Sequence, residues 1–118
     1  MAFSHERLEV YQIALDFVGI AEDVIERLPK GRAHLQDQLS RASISIALNI
    51  AEGAGKFSRP DKRRYYLSAS GSGMECAAIL DVCLRLKAMD EEAHRKGKLL
   101  PEGIVARLVK LAKAMEQG

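Results

Sequence analysis

Five basic side chains lie between residues 56 and 64, and Asp61 is the only acidic residue among them. Phe57 lies within this segment, and Tyr65 and Tyr66 follow it directly. Basic side chains neutralise phosphates and aromatic rings can stack on unpaired bases, so the pattern is typical of nucleic-acid binding. A solvated helix start with its tyrosines turned inward would have the same composition, and the sequence leaves both interpretations open. The basic residues are Lys56, Arg59, Lys62, Arg63 and Arg64.

A row of polar residues forms a second pattern, within the otherwise apolar stretch from residue 34 to residue 54. Its members recur every three or four residues, which places them on one side of a helix. Buried polar groups must be paired, because an unpaired one costs free energy. The row therefore either forms an internal network with the next helix, reaching Tyr65 or Tyr66, or lines a ligand or partner surface. It consists of Gln38, Arg41, Ser45, Asn49 and Glu52.

Residues suited to catalysis or metal binding are sparse. Glu91 and His94 have the Glu-x-x-His spacing of di-iron bundles, but such a site needs two of these motifs and two further glutamates. Gly55-Lys56 resembles part of a phosphate-binding loop, yet Phe57 stands where that loop requires Ser or Thr. We therefore expect no catalytic residues, no enzymatic activity, no metal and no cofactor.

The overall composition limits the class of protein. The formal net charge of +2 is too small to indicate nucleic-acid binding by itself. Cys76 and Cys83 are seven residues apart, roughly 10 Å along a helix, which is too far for a disulfide. They are expected to be buried free thiols, which fits a reducing cytoplasm. No stretch resembles a signal peptide or a membrane-spanning helix, so we predict a cytoplasmic protein without membrane contact.

The apolar residues recur at spacings of three, four and seven, which predicts an all-α fold. We expect a single domain over residues 1–118, built as an up-and-down antiparallel four-helix bundle. The first helix is predicted from about residue 5 to residue 28, with Ser4 as its N-cap. The second helix is predicted from about residue 34 to residue 54, with a glycine stop from Gly53 to Gly55.

The second half of the chain is predicted to hold the other two helices. The third should begin at Ser58, with Asp61 completing a capping box, and continue to about residue 88. Its central Gly71-Ser72-Gly73 is locally costly, which indicates close approach of a neighbouring helix. After a short turn of helix capped by Asp90, we expect an interruption and a last helix that begins at Pro101.

Several motifs resemble a bacterial family of four-helix-bundle proteins encoded in intervening sequences of large-subunit ribosomal RNA genes. The clearest is the stretch from Gln38 to Gly55, which includes the run Asn49-Ile50-Ala51-Glu52-Gly53. Leu8-x-Val10-Tyr11, Leu28-Pro29 and Gly71-Ser72 match as well. The resemblance implies a cytoplasmic bundle that assembles into a homo-oligomeric ring, expected to be a pentamer. The chain is also similar to the accessory proteins of diversity-generating retroelements, whose basic rings bind nucleic acid and a reverse transcriptase.

The expected function is a non-catalytic, nucleic-acid-associated module that acts on RNA through the start of the third helix. The alternative is a homo-oligomeric scaffold without nucleic-acid affinity, in which the acidic first helix of one subunit faces the basic segment of the next, or a partner protein binds there. The basic positions that could serve the nucleic-acid function are Arg41, Lys56, Arg59, Lys62, Arg63 and Arg64.

Overall fold

The computed structural model describes residues 3–116, and these form α-helices without any β-strand. A short 3₁₀ helix covers Ser4–Arg7 and precedes the four main helices. The all-α prediction is therefore confirmed. The main helices are α1 (Glu9–Arg27), α2 (Ala33–Ala54), α3 (Arg59–Arg85) and α4 (Glu91–Ala114).

The four helices pack side by side in an antiparallel bundle that measures 48 × 27 × 21 Å. Helices α1 and α3 each pack against both α2 and α4, so α1 and α3 lie diagonally opposite one another. Gln36 Nε2 of α2 donates to the Ile25 carbonyl at the far end of α1, at 2.9 Å. This contact joins the end of one helix to the start of the next, as an up-and-down connection requires.

The core lies between the helices and is largely aliphatic, with Phe17 and Tyr66 as its buried aromatic side chains. The spacing of apolar residues correctly predicts the inner face of α2, where Leu39, Ile46 and Ile50 have no exposed surface. Burial of each such side chain stabilises the fold by about 1.5–3 kcal/mol. Cys76 and Cys83 are buried free thiols, as predicted. Burial, and then the nearby Glu75 carboxylate, raise the pKa of Cys76 to about 12, which keeps this thiol protonated.

The start of α1 differs from the prediction. Ser4 lies in the 3₁₀ helix and does not cap α1, which begins only at Glu9. Between the two helices Leu8 has an extended backbone, with φ −83° and ψ 123°, and its side chain packs against the core. Core packing of Leu8 therefore breaks the helix that local capping signals alone would start at Ser4.

The predicted break in the last helix is wrong, because α4 runs without interruption from Glu91 to Ala114 with Pro101 inside it. Proline in a helix interior removes one backbone hydrogen bond and costs about 3 kcal/mol. Here Pro101 is fully buried, and Gly97 one turn earlier packs against Leu80 of α3. Tertiary packing of α4 thus offsets the local penalty.

The ends of α3 follow partly from local signals. Ser58 accepts a hydrogen bond from the Asp61 N–H at 3.2 Å, so the predicted N-cap is confirmed. The helix ends at Arg85, three residues before the predicted end. Lys87 takes a left-handed conformation with φ 59°, and the Ala88 N–H donates back to the Cys83 carbonyl at 2.8 Å. This is the hydrogen bond of a Schellman motif, which closes a helix.

Helix α3 is apolar around much of its circumference. By length and composition alone it could cross a membrane, with a mean hydropathy of 1.2 over its most apolar window. The core helix of a soluble protein meets the same criterion, and α3 packs along its length against α2 and α4.

Candidate nucleic-acid interface

The predicted basic segment lies at the end of the bundle where α2 connects to α3. The Gly55 N–H closes α2 by donating to the carbonyls of Ala51 and Glu52, both at 3.2 Å. Ser58 then caps α3, so only a few residues connect two antiparallel helices. The short connection brings Lys56 and the first turns of α3 together at this end of the molecule.

Tyr65 is the centre of this arrangement. Lys56 Nζ lies 5.1 Å from the centroid of its ring and Arg64 Cζ lies 4.9 Å from it. Both distances allow cation–π attraction. Phe57 is fully exposed beside them, and Arg59 is also exposed. We call Lys56, Phe57, Arg64 and Tyr65 the basic patch.

The two cations of the basic patch also form ion pairs, but these are long and exposed. Lys56 Nζ lies 3.6 Å from a Glu52 carboxylate oxygen, and Arg64 lies 3.5 Å from Asp61. Exposed pairs of this kind contribute at most about 1 kcal/mol, since water competes for both partners. A phosphate could therefore displace either carboxylate.

Lys62 and Arg63 have partners that tie the helices together. Lys62 Nζ donates to the Ala54 carbonyl at 2.8 Å, which satisfies an orphan group at the C-terminus of α2. Arg63 extends to the other side of α3 and binds the Glu116 carboxylate at 2.8 Å. The structure thus separates these two residues from Lys56 and Arg64, although all four are close in sequence.

The polar row of α2 is only partly a network. Ser45 Oγ and Ser72 Oγ share a hydrogen bond of 2.9 Å across α2 and α3, and Asn49 Nδ2 donates to the Ser45 carbonyl and hydroxyl at 2.9 and 3.0 Å. Glu52 pairs with Lys56. Gln38 and Arg41 are exposed and form no hydrogen bond or ion pair with another described residue.

Arg41 lies apart from the basic patch. It is 15 residues before Lys56, about 22 Å along a helix axis. It borders an open groove of about 390 Å³ on the outer face of α2, where Ile44 and Leu48 are exposed. The six predicted nucleic-acid residues therefore do not form one surface.

Gly53 is a site residue whose role the sequence analysis missed. We predicted that it helps to stop α2, whereas it lies inside the helix and is buried against α3. A Cβ atom at this position would lie 2.9 Å from Tyr66 Cε1 and 3.0 Å from Tyr65 Cβ. Gly53 therefore permits the close approach that places Tyr65 beneath the two cations.

The sequence analysis also missed a polar cluster at the opposite end of the bundle. His94 Nε2 lies 2.7 Å from Asp81 Oδ1, and Lys98 Nζ donates to the same oxygen at 3.0 Å. These hydrogen bonds, first that of His94 and then that of Lys98, lower the pKa of Asp81. Within residues 3–116 no group of three or more His, Cys, Asp or Glu side chains could hold a metal ion.

Comparison with known proteins places the chain in a family. A model of the family described as 23S rRNA-intervening sequence protein matches residues 6–110. The chain belongs to the 23S rRNA-intervening sequence protein family. A comparison with curated proteins finds no match.

A solved structure supports the fold of this family member. It is a protein of unknown function from the S23 ribosomal protein family of Bacteroides thetaiotaomicron, with a TM-score of 0.82 and 21% sequence identity. The match covers 88% of this chain and 98% of that protein. At this identity the likeness supports the fold alone.

The geometry gives a structural reason for the run that resembles the 23S rRNA-intervening sequence family. Asn49 joins the hydrogen bonds between α2 and α3, Ile50 fills the core, and Gly53 packs against the tyrosines of α3. Glu52 faces outward and pairs with Lys56. Most of the run thus holds α2 against α3, and only its last turn borders the basic patch.

Proposed function

We propose that this chain is a non-catalytic, oligomeric module that binds RNA through the basic patch at the α2–α3 end. The observation that carries the proposal is the stacking of Lys56 and Arg64 on Tyr65, beside the fully exposed ring of Phe57. Such a surface offers cations for phosphates and aromatic faces for unpaired bases. Single-stranded or looped RNA fits this surface better than a regular duplex, because the bases of a duplex are already paired and stacked on one another.

The family description agrees with a link to ribosomal RNA, although position within a gene is not a mechanism. From the motifs that resemble this family we infer a homo-oligomeric ring, with a pentamer as the expected form. In a ring, several copies of the basic patch would act on one RNA strand, which raises avidity without any new contact. Within this proposal Arg59 extends the binding surface and Arg41 lies apart from it. Lys62 and Arg63 support the surface through their contacts with Ala54 of α2 and with Glu116.

The second candidate is a protein-interaction scaffold without nucleic-acid affinity. The observation that favours it is the number of exposed apolar side chains, among them Leu48, Met74 and Leu99, each more than half exposed. Exposed apolar patches on a soluble protein mark surfaces for protein contact. The two candidates differ in their response to salt, since phosphate binding weakens steeply as salt rises.

The deciding experiment measures the affinity for a single-stranded RNA of about 30 nucleotides by fluorescence anisotropy over a series of salt concentrations. The double variant Lys56→Gln/Arg64→Gln should weaken binding at low salt. It should also reduce the slope of log K against log salt by about 0.7 for each phosphate that the variant no longer neutralises.

The matched control is Lys30→Gln/Arg85→Gln, which removes two exposed cations from the opposite end of the bundle. This control changes the net charge equally and should retain most of the affinity. Equal losses in the two double variants would indicate non-specific attraction to net charge. An absence of binding by the unsubstituted protein at low salt would favour the scaffold.

A further inference from the structure

We infer that a groove between the 3₁₀ helix and the end of α2 binds an unpaired guanine of the RNA, with the Glu52 carboxylate as the acceptor for the Watson–Crick edge of that base. This role rests on the proposed function, because the same RNA strand must also lie on the basic patch. Cations and aromatic rings alone would bind every sequence alike. Glu52 adds a preference for one base.

The groove lies at the end of the bundle that carries the basic patch. The extended backbone at Leu8 separates the 3₁₀ helix from α1, and the 3₁₀ helix packs against α2. The open space beside this contact has a volume of about 510 Å³, which is within the range of small-ligand sites. The 3₁₀ side of the groove includes Phe3 and His5, and the α2 side includes Leu48, Ala51 and Glu52.

Lys56 connects the groove to the basic patch. Its side chain lines the groove, and its Nζ atom also lies 5.1 Å from the centroid of the Tyr65 ring. A phosphate bound by Lys56 would therefore have the aromatic side chains of the basic patch on one side and the groove on the other. One RNA strand can reach both places through adjacent nucleotides.

Aromatic rings on the 3₁₀ side of the groove offer a surface for stacking. The rings of Phe3 and His5 are nearly parallel, with an interplanar angle of 15° and centroids 5.9 Å apart. Tyr11 of α1 contacts the His5 ring edge to face at 4.7 Å, which orients that ring. The Phe3 ring is 70% exposed, so a base can stack on it. Stacking contributes affinity without selecting a base, because every base has a π face.

Selection comes from Glu52. Its side chain is 58% exposed, and its partner Lys56 Nζ lies 3.6 Å away, which is longer than a hydrogen bond. An ionised carboxylate only accepts hydrogen bonds, and its two oxygens can accept from two adjacent donors. Guanine presents two adjacent donors, N1–H and the N2 amino group, on its Watson–Crick edge. The other three RNA bases place an acceptor next to each donor, so a carboxylate would meet a lone pair there.

The pairing of Glu52 with Lys56 matches the charges of a guanine nucleotide. A phosphate would take Lys56 as its partner, while the guanine edge would donate to Glu52. Both members of the exposed pair therefore keep a partner when RNA replaces the contact between them. Opening the pair costs little, because an exposed pair of this kind contributes little to stability.

The test compares the affinities of the full-length protein for two single-stranded RNAs of about 30 nucleotides, measured by fluorescence anisotropy at one salt concentration. One RNA is oligouridine, and the other carries guanines separated by uridines. The guanine-containing RNA should bind about 5- to 150-fold more tightly, the range for one bidentate base contact. Replacing each guanosine by inosine, which lacks the N2 amino group, should remove most of this preference.

Glu52→Gln should abolish the guanine preference, because an amide presents one acceptor and one donor group instead of two acceptors. Its affinity for oligouridine should not fall, since the substitution removes a negative charge beside Lys56. This combination separates loss of base selection from loss of the fold.

Asp61→Asn is the matched control. The Asp61 carboxylate is also half exposed and pairs with a cation of the basic patch, Arg64, at 3.5 Å, but it does not line the groove. This variant removes the same charge from the same end of the bundle and should keep the guanine preference in full.

Free guanosine monophosphate tests whether the groove serves RNA or a single nucleotide. It carries the same base and one phosphate, but it cannot also occupy the rest of the basic patch. It should displace the RNA only at concentrations far above that of the RNA. Displacement by an equimolar amount would assign the groove to a free nucleotide and overturn the inference.

Three further results would overturn the inference. Equal affinities for the two RNAs would remove the base preference and leave the proposed function standing. A guanine preference that survives the inosine replacement or Glu52→Gln would not depend on the carboxylate. An absence of binding to both RNAs at low salt would overturn the proposed function and the inference together.

Discussion

At the end of the bundle where α2 meets α3, Lys56 and Arg64 lie over the ring of Tyr65. At the opposite end, His94 and Lys98 of α4 both contact one carboxylate oxygen of Asp81 on α3. The first arrangement leaves two cations beside an exposed aromatic surface. The second uses its cationic and imidazole groups to join two helices. The two clusters therefore differ in whether their charged groups remain accessible to a ligand.

The difference follows from where the partners lie. Asp81 is 13 and 17 residues away from His94 and Lys98, so that cluster bridges two helices. Glu52 and Asp61 are within about one helical turn of their partners Lys56 and Arg64, and these local pairs restrain the cations only weakly. Lys62 is an exception, because it lies at the end that carries the basic patch and still caps the C-terminus of α2.

The largest effect is expected where α2 and α3 come closest. Gly53→Val would place side-chain carbons against the ring of Tyr66 and the Cβ atom of Tyr65, which lie about 3 Å from an added Cβ. Overpacking of this kind costs about 1–3 kcal/mol. We therefore expect the free energy of unfolding, measured with urea, to fall by that amount.

Gly55→Ala is the matched control at the same end. An added Cβ at Gly55 would lie 3.6 Å from its nearest neighbour, an ordinary contact. The unfolding free energy of this variant should change by less than about 0.5 kcal/mol. Equal effects of the two substitutions would contradict the tight packing assigned to Gly53.

An effect of comparable size, on RNA affinity rather than on folding, tests the accessible character of the basic patch. Tyr65→Ala keeps the Cβ atom but removes the ring beneath Lys56 and Arg64, so RNA binding should weaken by about 1–3 kcal/mol, as for loss of one stacked base. Tyr65→Phe retains the ring and should bind RNA as the unsubstituted protein does. Both affinities are measured at one fixed salt concentration. Tight binding by the alanine variant would remove Tyr65 from the proposed surface.

The smallest effect concerns the opposite end and depends on pH. Hydrogen bonds from His94 and Lys98 lower the pKa of Asp81 below its ordinary value of 3.8. The charged carboxylate therefore stabilises the folded state above that value, and this contribution is lost as pH falls through the lowered pKa. Asp81→Asn should reduce the unfolding free energy by less than about 1 kcal/mol at pH 7, because the side chain is half exposed.

The difference between Asp81→Asn and the unsubstituted protein should shrink as the pH falls below about 4. Glu102→Gln, which removes an exposed carboxylate of α4 that has no ion pair within residues 3–116, should show no such trend. Urea unfolding at a series of pH values measures both. If the difference in unfolding free energy between Asp81→Asn and the unsubstituted protein did not depend on pH, the charge of Asp81 would not hold α3 to α4.

Local signals predicted much of the fold correctly. The N-caps at Ser58 and Asp90 each need only a backbone N–H three residues further along the chain, so the sequence itself contains both partners. The buried face of α2 could also be predicted, because helical periodicity depends only on residues three or four positions apart. The prediction at Pro101 was wrong because the local penalty is clear in the sequence, whereas the compensating contacts with α3 are not.

The candidate site was predicted less completely. The sequence pattern predicted that the basic residues from 56 to 64 form one segment. Successive residues of a helix point about 100° apart, however, so these side chains contact different neighbours. The rotation of α3 within the bundle decides that Arg63 meets Glu116 and that Arg64 meets Tyr65. The same rotation separates Gly73, which packs against α4, from Gly71, which faces outward.

The sequence by itself determined the helical class, the approximate helix ends and the apolar rows, because these depend on interactions within one or two turns. Only the tertiary structure decided which cations cap or bridge helices and which remain accessible. It also decided that Gly53 and Gly73 lie against a neighbouring helix, whereas Gly71 does not. Those outcomes depend on contacts between residues far apart in sequence, and the packing of all four helices together sets the rotation of each.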